Sequence, residues 1–174
     1  MLEEDSGQVE TLDSGLLSQL PVGILMTAND RDNSCVVEAM DSIRKTLPLA
    51  AFLVKPFGMT AFLESIKDAL HGREGDNIKN LLGEDKAVVN IEDDIHLNRI
   101  VGDILDNVGL NRRSFLTYNE AVRALQVEGG KCFVEIDGSR FQVRLLLLDL
   151  LTPGEYGIED LMGFLVKSGR LAAQ

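Results

Sequence analysis

The apolar residues of this chain fall into two kinds of pattern that alternate along it. Four continuous apolar runs predict buried strands, at residues 21–28, 49–54, 87–91 and 145–150. Four segments with an apolar residue every three or four positions predict amphipathic helices, at residues 36–43, 62–70, 95–108 and 158–166. Strands that alternate with helices indicate βαβ units, and hence a parallel sheet covered by helices on both faces.

Three further segments complete the pattern. Two alternating runs flank Asp137-Gly138, and an Asp-Gly pair between such runs predicts a β-hairpin over residues 131–144. Residues 114–118 alternate as a short strand, after which Asn119 can cap a helix over residues 121–127. Residues 71–85 are polar and predict a connector with one short helical turn.

Composition narrows the class of protein. A length of 174 residues, 45% hydrophobic and 26% charged, favours one globular domain. The net charge of −11, with no basic stripe, argues against a nucleic-acid surface. The acidic start and the lack of a long apolar run argue against a secretory signal and a membrane span, so we expect a cytoplasmic protein.

The cysteines and histidines offer little chemistry. Cys35 and Cys132 stand in apolar surroundings without partner spacing, which predicts two buried, reduced thiols. His71 and His96 are isolated, so a histidine-based metal site is not expected.

Charged residues stand where the predicted strands end. Asp149 closes a run of four leucines, and a carboxylate there is costly to bury without a chemical role. In open α/β sheets the ligand site lies at the carboxyl ends of the strands. The residues that fall at such ends are Thr27, Lys55, Glu92, Asp93, Asp94 and Asp149. Residues 92–94 alone would be typical of a solvated acidic loop. The whole set predicts a Mg²⁺ site with an amine and a hydroxyl for phosphoryl oxygens.

Four motifs at these strand ends resemble the receiver domain of two-component response regulators. They are VVNIEDD for the acidic pair, Asp149 with Pro153 and Gly157 for the phosphoacceptor, Thr27-Ala28, and Lys55-Pro56-Phe57. The resemblance covers most of residues 14–168. It implies a flavodoxin-like, doubly wound, five-stranded parallel sheet, to which the hairpin is an insertion.

The order of these motifs differs from the family's, which indicates circular permutation. We interpret residues 1–13 as a flexible segment and 14–174 as one permuted receiver-like domain. Residues 14–70 would run from strand four to helix five, and 86–174 from strand one to helix three. A connector such as 71–85 reaches roughly 50 Å when extended, far enough to join the halves. It also permits a dimer in which two molecules exchange halves.

The resemblance implies a role for each metal-site residue. Asp149 would be the nucleophile that takes a phosphoryl group from a phosphohistidine. Asp93 would bind Mg²⁺ directly, and Glu92 would bind it directly or through water. The main-chain carbonyl of Leu151 would complete the protein ligands.

The remaining roles concern the phosphoryl group and the switch. Lys55 would neutralise the phosphoryl charge and Thr27 would donate a hydrogen bond to it. Phe52 holds the position of the switching aromatic, although a core phenylalanine fits the sequence equally well. The Lys55-Pro56 peptide bond would be cis.

The implied function is a phosphorylation-dependent signalling switch that uses Mg²⁺ and acts through protein–protein contacts. Its partners would be a sensor histidine kinase or phosphotransfer protein and a downstream protein, without nucleic acid or membrane. Its only enzymatic activities would be self-phosphorylation and autodephosphorylation.

Two alternatives remain. One is a receiver-like interaction module that no longer uses phosphorylation. The other is a haloacid-dehalogenase-like phosphatase, which ranks low because that family has a second aspartate where this chain has Leu151.

Overall fold

The computed structural model describes residues 20–28, 33–150 and 157–172. Residues 1–13, interpreted above as a flexible segment, lie outside these ranges. The carbonyl of Leu151, a predicted metal ligand, also lies outside them. The described part contains seven strands and six helices, in an α/β arrangement. In chain order they are β1 Val22–Thr27, α1 Ser34–Arg44, β2 Leu49–Val54, α2 Met59–Ala69, α3 Ile78–Leu82, β3 Lys86–Ile91, α4 Ile95–Asn107, β4 Asn111–Phe115, α5 Tyr118–Ala124, β5 Gln126–Glu128, β6 Lys131–Ile136, β7 Ser139–Asp149 and α6 Ile158–Ala172.

All seven strands belong to one open, mixed sheet. Parallel pairings join strands in the order β2-β1-β7-β3-β4, which makes β7 central. Strand β7 changes neighbours along its length. Its first part, Ser139–Gln142, pairs antiparallel with β6, and its later part, Leu145–Asp149, pairs parallel with β1. The short β5 extends the sheet beyond β6.

Helices cover both faces of the sheet, which explains the uninterrupted apolar runs. Alternate residues of a strand point to opposite faces. Thus Leu146 and Leu148 pack in the cluster that includes α1, α5 and α6, whereas Leu145 and Leu147 pack in the cluster that includes α2, α3 and α4. Leu145, Leu146, Leu147 and Leu148 are all completely buried, which explains why this part of β7 is continuously apolar up to Asp149.

The predicted hairpin is confirmed by its turn. Asp137 and Gly138 have φ values of 49° and 77°, and they join the antiparallel strands β6 and β7. Two consecutive positive φ values are typical of the type I′ turn, for which Asp-Gly is a preferred pair.

The region after α4 differs from the prediction. Strand β4 covers Asn111–Phe115 rather than 114–118, because this polar segment pairs with β3 at the edge of the sheet. The residue that caps α5 is Thr117, which accepts a hydrogen bond from the Glu120 amide, and not Asn119. Helix α5 ends at Ala124 because the following residues pair with β6 as β5.

The two cysteines also differ from each other. Cys132 is buried as predicted, but Cys35 is exposed. It lies in the first turn of α1, whose buried face consists of Val36, Ala39, Met40 and Ile43. Among the described helices, none is long and apolar enough to cross a membrane.

Candidate functional site

Four of the parallel strands end at one edge of the sheet, which we call the carboxyl rim. The registers align Met26 with Asp149, Thr27 with Val54, and Ile91 with Leu148. The residues that follow these strands therefore lie next to one another. Lys55 is the residue that immediately follows β2, and its amide donates to the Thr27 carbonyl at 2.7 Å.

Three acids meet at the carboxyl rim, and we call them the acid cluster: Glu92, Asp93 and Asp149. One carboxylate oxygen from each lies within 4.8 Å of the other two. Glu92 and Asp149 are 0% and 2% exposed, and Asp93 is the more accessible member. The cluster thus combines two buried carboxylates with one that faces outwards.

The ammonium of Lys55 contacts both buried acids. Its Nζ lies 2.6 Å from Glu92 Oε2 and 2.9 Å from Asp149 Oδ1. The Lys55-Pro56 peptide bond is cis, as the receiver resemblance implied. The predicted grouping of Lys55 with these acids is therefore present in the structure.

Burial and mutual repulsion shape the charges of this site. Burial raises the pKa of Glu92, and the Asp149 charge adds to this although Lys55 opposes it. Burial and the neighbouring Asp149 likewise raise the pKa of Asp93. For Lys55, burial alone lowers the pKa, but Glu92 and Asp149 outweigh it and the net pKa is raised. Added positive charge would favour the ionised form of the acids.

The main chain around Glu92 is held by α4. Asn98 is buried, and its Nδ2 donates to the carbonyls of Glu92 at 2.9 Å and Phe115 at 3.0 Å. Asp94 caps α4 by accepting from the His96 and Leu97 amides, which lowers its pKa. The Asp94 side chain therefore serves the helix, while its amide donates to Glu92 Oε1 at 3.2 Å.

Tyr118 is a site residue that the sequence reasoning missed. Its hydroxyl donates to the main-chain carbonyl of Asp149 at 2.6 Å, and its side chain is completely buried. The sequence pattern predicts Tyr118 at the end of a strand, whereas this residue opens α5. No local sequence pattern could reveal this contact, because it joins helix α5 to strand β7 across 31 positions of the chain.

The acid cluster fits a hard divalent cation. Three carboxylates face one ammonium, which leaves an excess of negative charge in a buried place. Within the described part of the chain, Glu92 Oε2 has its ion pair with Lys55 but no hydrogen-bond donor of good geometry. Oxygen-only donor sets of this kind suit Mg²⁺ or Ca²⁺. The cluster could therefore hold a metal ion, whose identity the donor set leaves open.

The other predicted site residues lie nearby or outside the described ranges. Thr27 is completely buried at the end of β1, beside Lys55 in the sheet. Phe52 is half-buried on β2 and packs against the cluster that includes α1 and α6. The Leu151 carbonyl, the fourth predicted ligand, falls outside the described residues.

Comparison of the chain with models of known families, with curated proteins and with solved structures yields no match. The class of protein must therefore be argued from the geometry of the site.

Proposed function

We propose that this chain is a phosphorylation-dependent signalling switch, built as a circularly permuted receiver domain with a flavodoxin-like sheet. The strand order supports this proposal. A flavodoxin-like sheet has the order 2-1-3-4-5. The order β4-β3-β7-β1-β2 is the same if β3 supplies the first strand and β1 the fourth. Permutation would then be accommodated by the connector that contains α3.

The observation that carries the proposal is the contact of Lys55 with Glu92 and Asp149. Lys55 and Asp149 are separated by 94 positions in the chain, yet Nζ and Oδ1 are 2.9 Å apart. An amine, a group of acids and a buried threonine at the ends of parallel strands can supply the charge neutralisation and hydrogen bonding that phosphoryl transfer uses. Such transfer depends mainly on positioning and on neutralising charge.

In this proposal Asp149 is the phosphoacceptor. One of its carboxylate oxygens forms a bond to phosphorus while the P–N bond of a phosphohistidine breaks, and the imidazole keeps the electron pair. Mg²⁺, held by Glu92, Asp93 and Asp149, would supply charge neutralisation between carboxylates and phosphoryl oxygens. Asp93 and Glu92 would hold that ion next to Asp149.

Lys55 and Thr27 act on the phosphoryl group. The ammonium leaves its ion pairs with the acids to neutralise phosphoryl oxygens, and the Thr27 hydroxyl donates a hydrogen bond. Phe52 is half-buried on β2, the strand next to β1. Its packing would change when Asp149 is phosphorylated. The donor would be a sensor histidine kinase or phosphotransfer protein, and the output contact with a downstream protein.

Acetyl phosphate with Mg²⁺ tests the proposal. We expect the intact mass to increase by one phosphoryl group. Hydroxylamine should release it as phosphate, because an acyl phosphate is a mixed anhydride whose acyl carbon hydroxylamine attacks to form a hydroxamate. Asp149→Asn should abolish the increase. Asp137→Asn, a matched change in the exposed hairpin turn, should leave it intact.

Two results would contradict the switch. One is a wild-type chain that gains neither a phosphoryl group from acetyl phosphate nor beryllofluoride in the presence of Mg²⁺. The other is equal phosphorylation of wild type and Asp149→Asn. The first result would favour the interaction module that acts without phosphorylation.

A further inference from the structure

Tyr118 lies outside the acid cluster, but it contacts the main chain of one of its members. Strand β7 pairs with β3 only as far as Leu148, which aligns with Ile91. Beyond that point the Glu92 amide turns towards β4 and donates to the Phe115 carbonyl at 3.1 Å. The Asp149 carbonyl thus lies past the end of the ladder with β3.

The hydroxyl of Tyr118 supplies a donor at this place. It bonds the Asp149 carbonyl at 2.6 Å, and the next amide, Leu150 N, donates to the Met26 carbonyl at 3.2 Å. The peptide unit between Asp149 and Leu150 is therefore held from both sides, by α5 and by β1. A peptide unit held in this way limits rotation at Asp149, whose side chain leaves from the same Cα.

We infer that Tyr118 is a positioning residue for the cation site, which fixes the Asp149 carboxylate through its hydrogen bond to the Asp149 carbonyl. The inference rests on the cation site of the proposed function and deepens it. The hydroxyl remains a donor, because burial and the nearby charges of Asp149 and Glu92 raise the pKa of Tyr118 well above its ordinary value.

The substitution Tyr118→Phe isolates this role. It keeps the buried ring and removes one hydroxyl. A net hydrogen bond corresponds to about a three- to ten-fold change in an equilibrium constant, so we expect the Mg²⁺ dissociation constant to rise by about that factor. Isothermal titration with Mg²⁺ alone measures it.

Asn111→Ala is the matched control. The Asn111 side chain donates to the main-chain carbonyls of Glu84 at 2.9 Å and Lys86 at 3.1 Å, at the opposite end of the sheet. Its loss should lower the unfolding temperature without changing Mg²⁺ affinity. The ¹³C shift of the Asp149 carboxylate, recorded without metal, should move in Tyr118→Phe and stay in place in Asn111→Ala.

The outcomes separate this inference from the proposed function. If Tyr118→Phe is less stable but keeps both the wild-type Mg²⁺ affinity and the Asp149 shift, Tyr118 is merely structural and the inference is wrong. Absence of Mg²⁺ binding by the wild type also overturns it. If Mg²⁺ binds and weakens as expected while no phosphoryl group is accepted, only the proposed switch fails.

Discussion

The two ends of the sheet use charged residues in opposite ways. At the carboxyl rim, Lys55 contacts two carboxylates that are almost completely buried and come from distant segments. At the other end, which we call the amino rim, Lys86 pairs with its neighbour Asp85, whose side chain is 79% exposed. The first arrangement requires the folded sheet, whereas the second requires only adjacent residues.

This difference distinguishes the carboxyl rim as the candidate metal-ion site. Burying like charges is unfavourable, and folding alone would not select it. The amino rim shows that the same chain places other charges at the surface, where water solvates them. Glu92 and Asp149 at the carboxyl rim are buried against Lys55, whereas Asp85 at the amino rim is exposed to water. Four experiments can test this difference.

The largest effect should follow removal of the lysine at each rim. Lys55→Met leaves Glu92 and Asp149 without their counter-charge, so we expect a loss of about 3 kcal/mol in the free energy of unfolding. Lys86→Met should change stability little, because its partner is exposed. Urea unfolding without Mg²⁺ measures both. Equal losses at the two rims would remove the distinction.

Mg²⁺ should stabilise the folded chain through the carboxyl rim alone. At a concentration one hundred times its dissociation constant, a ligand of the native state adds about 2.7 kcal/mol. Asp93→Asn should reduce this gain strongly, whereas Asp85→Asn at the amino rim should retain it. Thermal unfolding with Mg²⁺ and with a chelator provides the measurement. A gain that survives in Asp93→Asn would argue for a different cation site.

A smaller effect should distinguish two asparagines with the same number of hydrogen bonds. Asn98 at the carboxyl rim and Asn111 at the amino rim each donate to two main-chain carbonyls. Because Asn98 is buried and Asn111 only partly so, Asn98→Ala should cost about 2 kcal/mol and Asn111→Ala about 1. Chemical denaturation at one pH compares them. A greater cost at Asn111 would contradict this assignment of burial.

The smallest effect concerns pH. Burial and Asp149 raise the pKa of Glu92 above its ordinary 4.5, so its contribution to stability is full below that value and is lost as pH rises through the raised pKa. Without metal, the stability of Glu92→Gln relative to wild type should therefore improve above about pH 4.5. Unfolding curves with a chelator over this range test the sign. A difference that is independent of pH would show that Glu92 titrates normally.

Much of the fold could be predicted because its signals are local. Continuous apolar runs for the buried strands and helical spacing between them located most elements, and the Asp137-Gly138 pair identified the hairpin turn. The failures have a tertiary cause. Residues 111–113 are polar, and they form a strand because β3 offers an edge for pairing. Residues 126 and 127 belong to the predicted helix over 121–127, yet they pair with β6.

The sequence by itself predicted which residues close the strands and that their carboxylates could hold a metal ion. It also carried the motifs from which the grouping of Lys55 with the acids was expected. Only the tertiary structure decided the strand order that brings Lys55 Nζ to 2.6 Å from Glu92, and the contact of Tyr118 with the Asp149 carbonyl. The physical reason is separation along the chain. Local periodicity predicts which face of a helix or strand a side chain occupies. Contacts between distant segments depend on how the sheet is assembled.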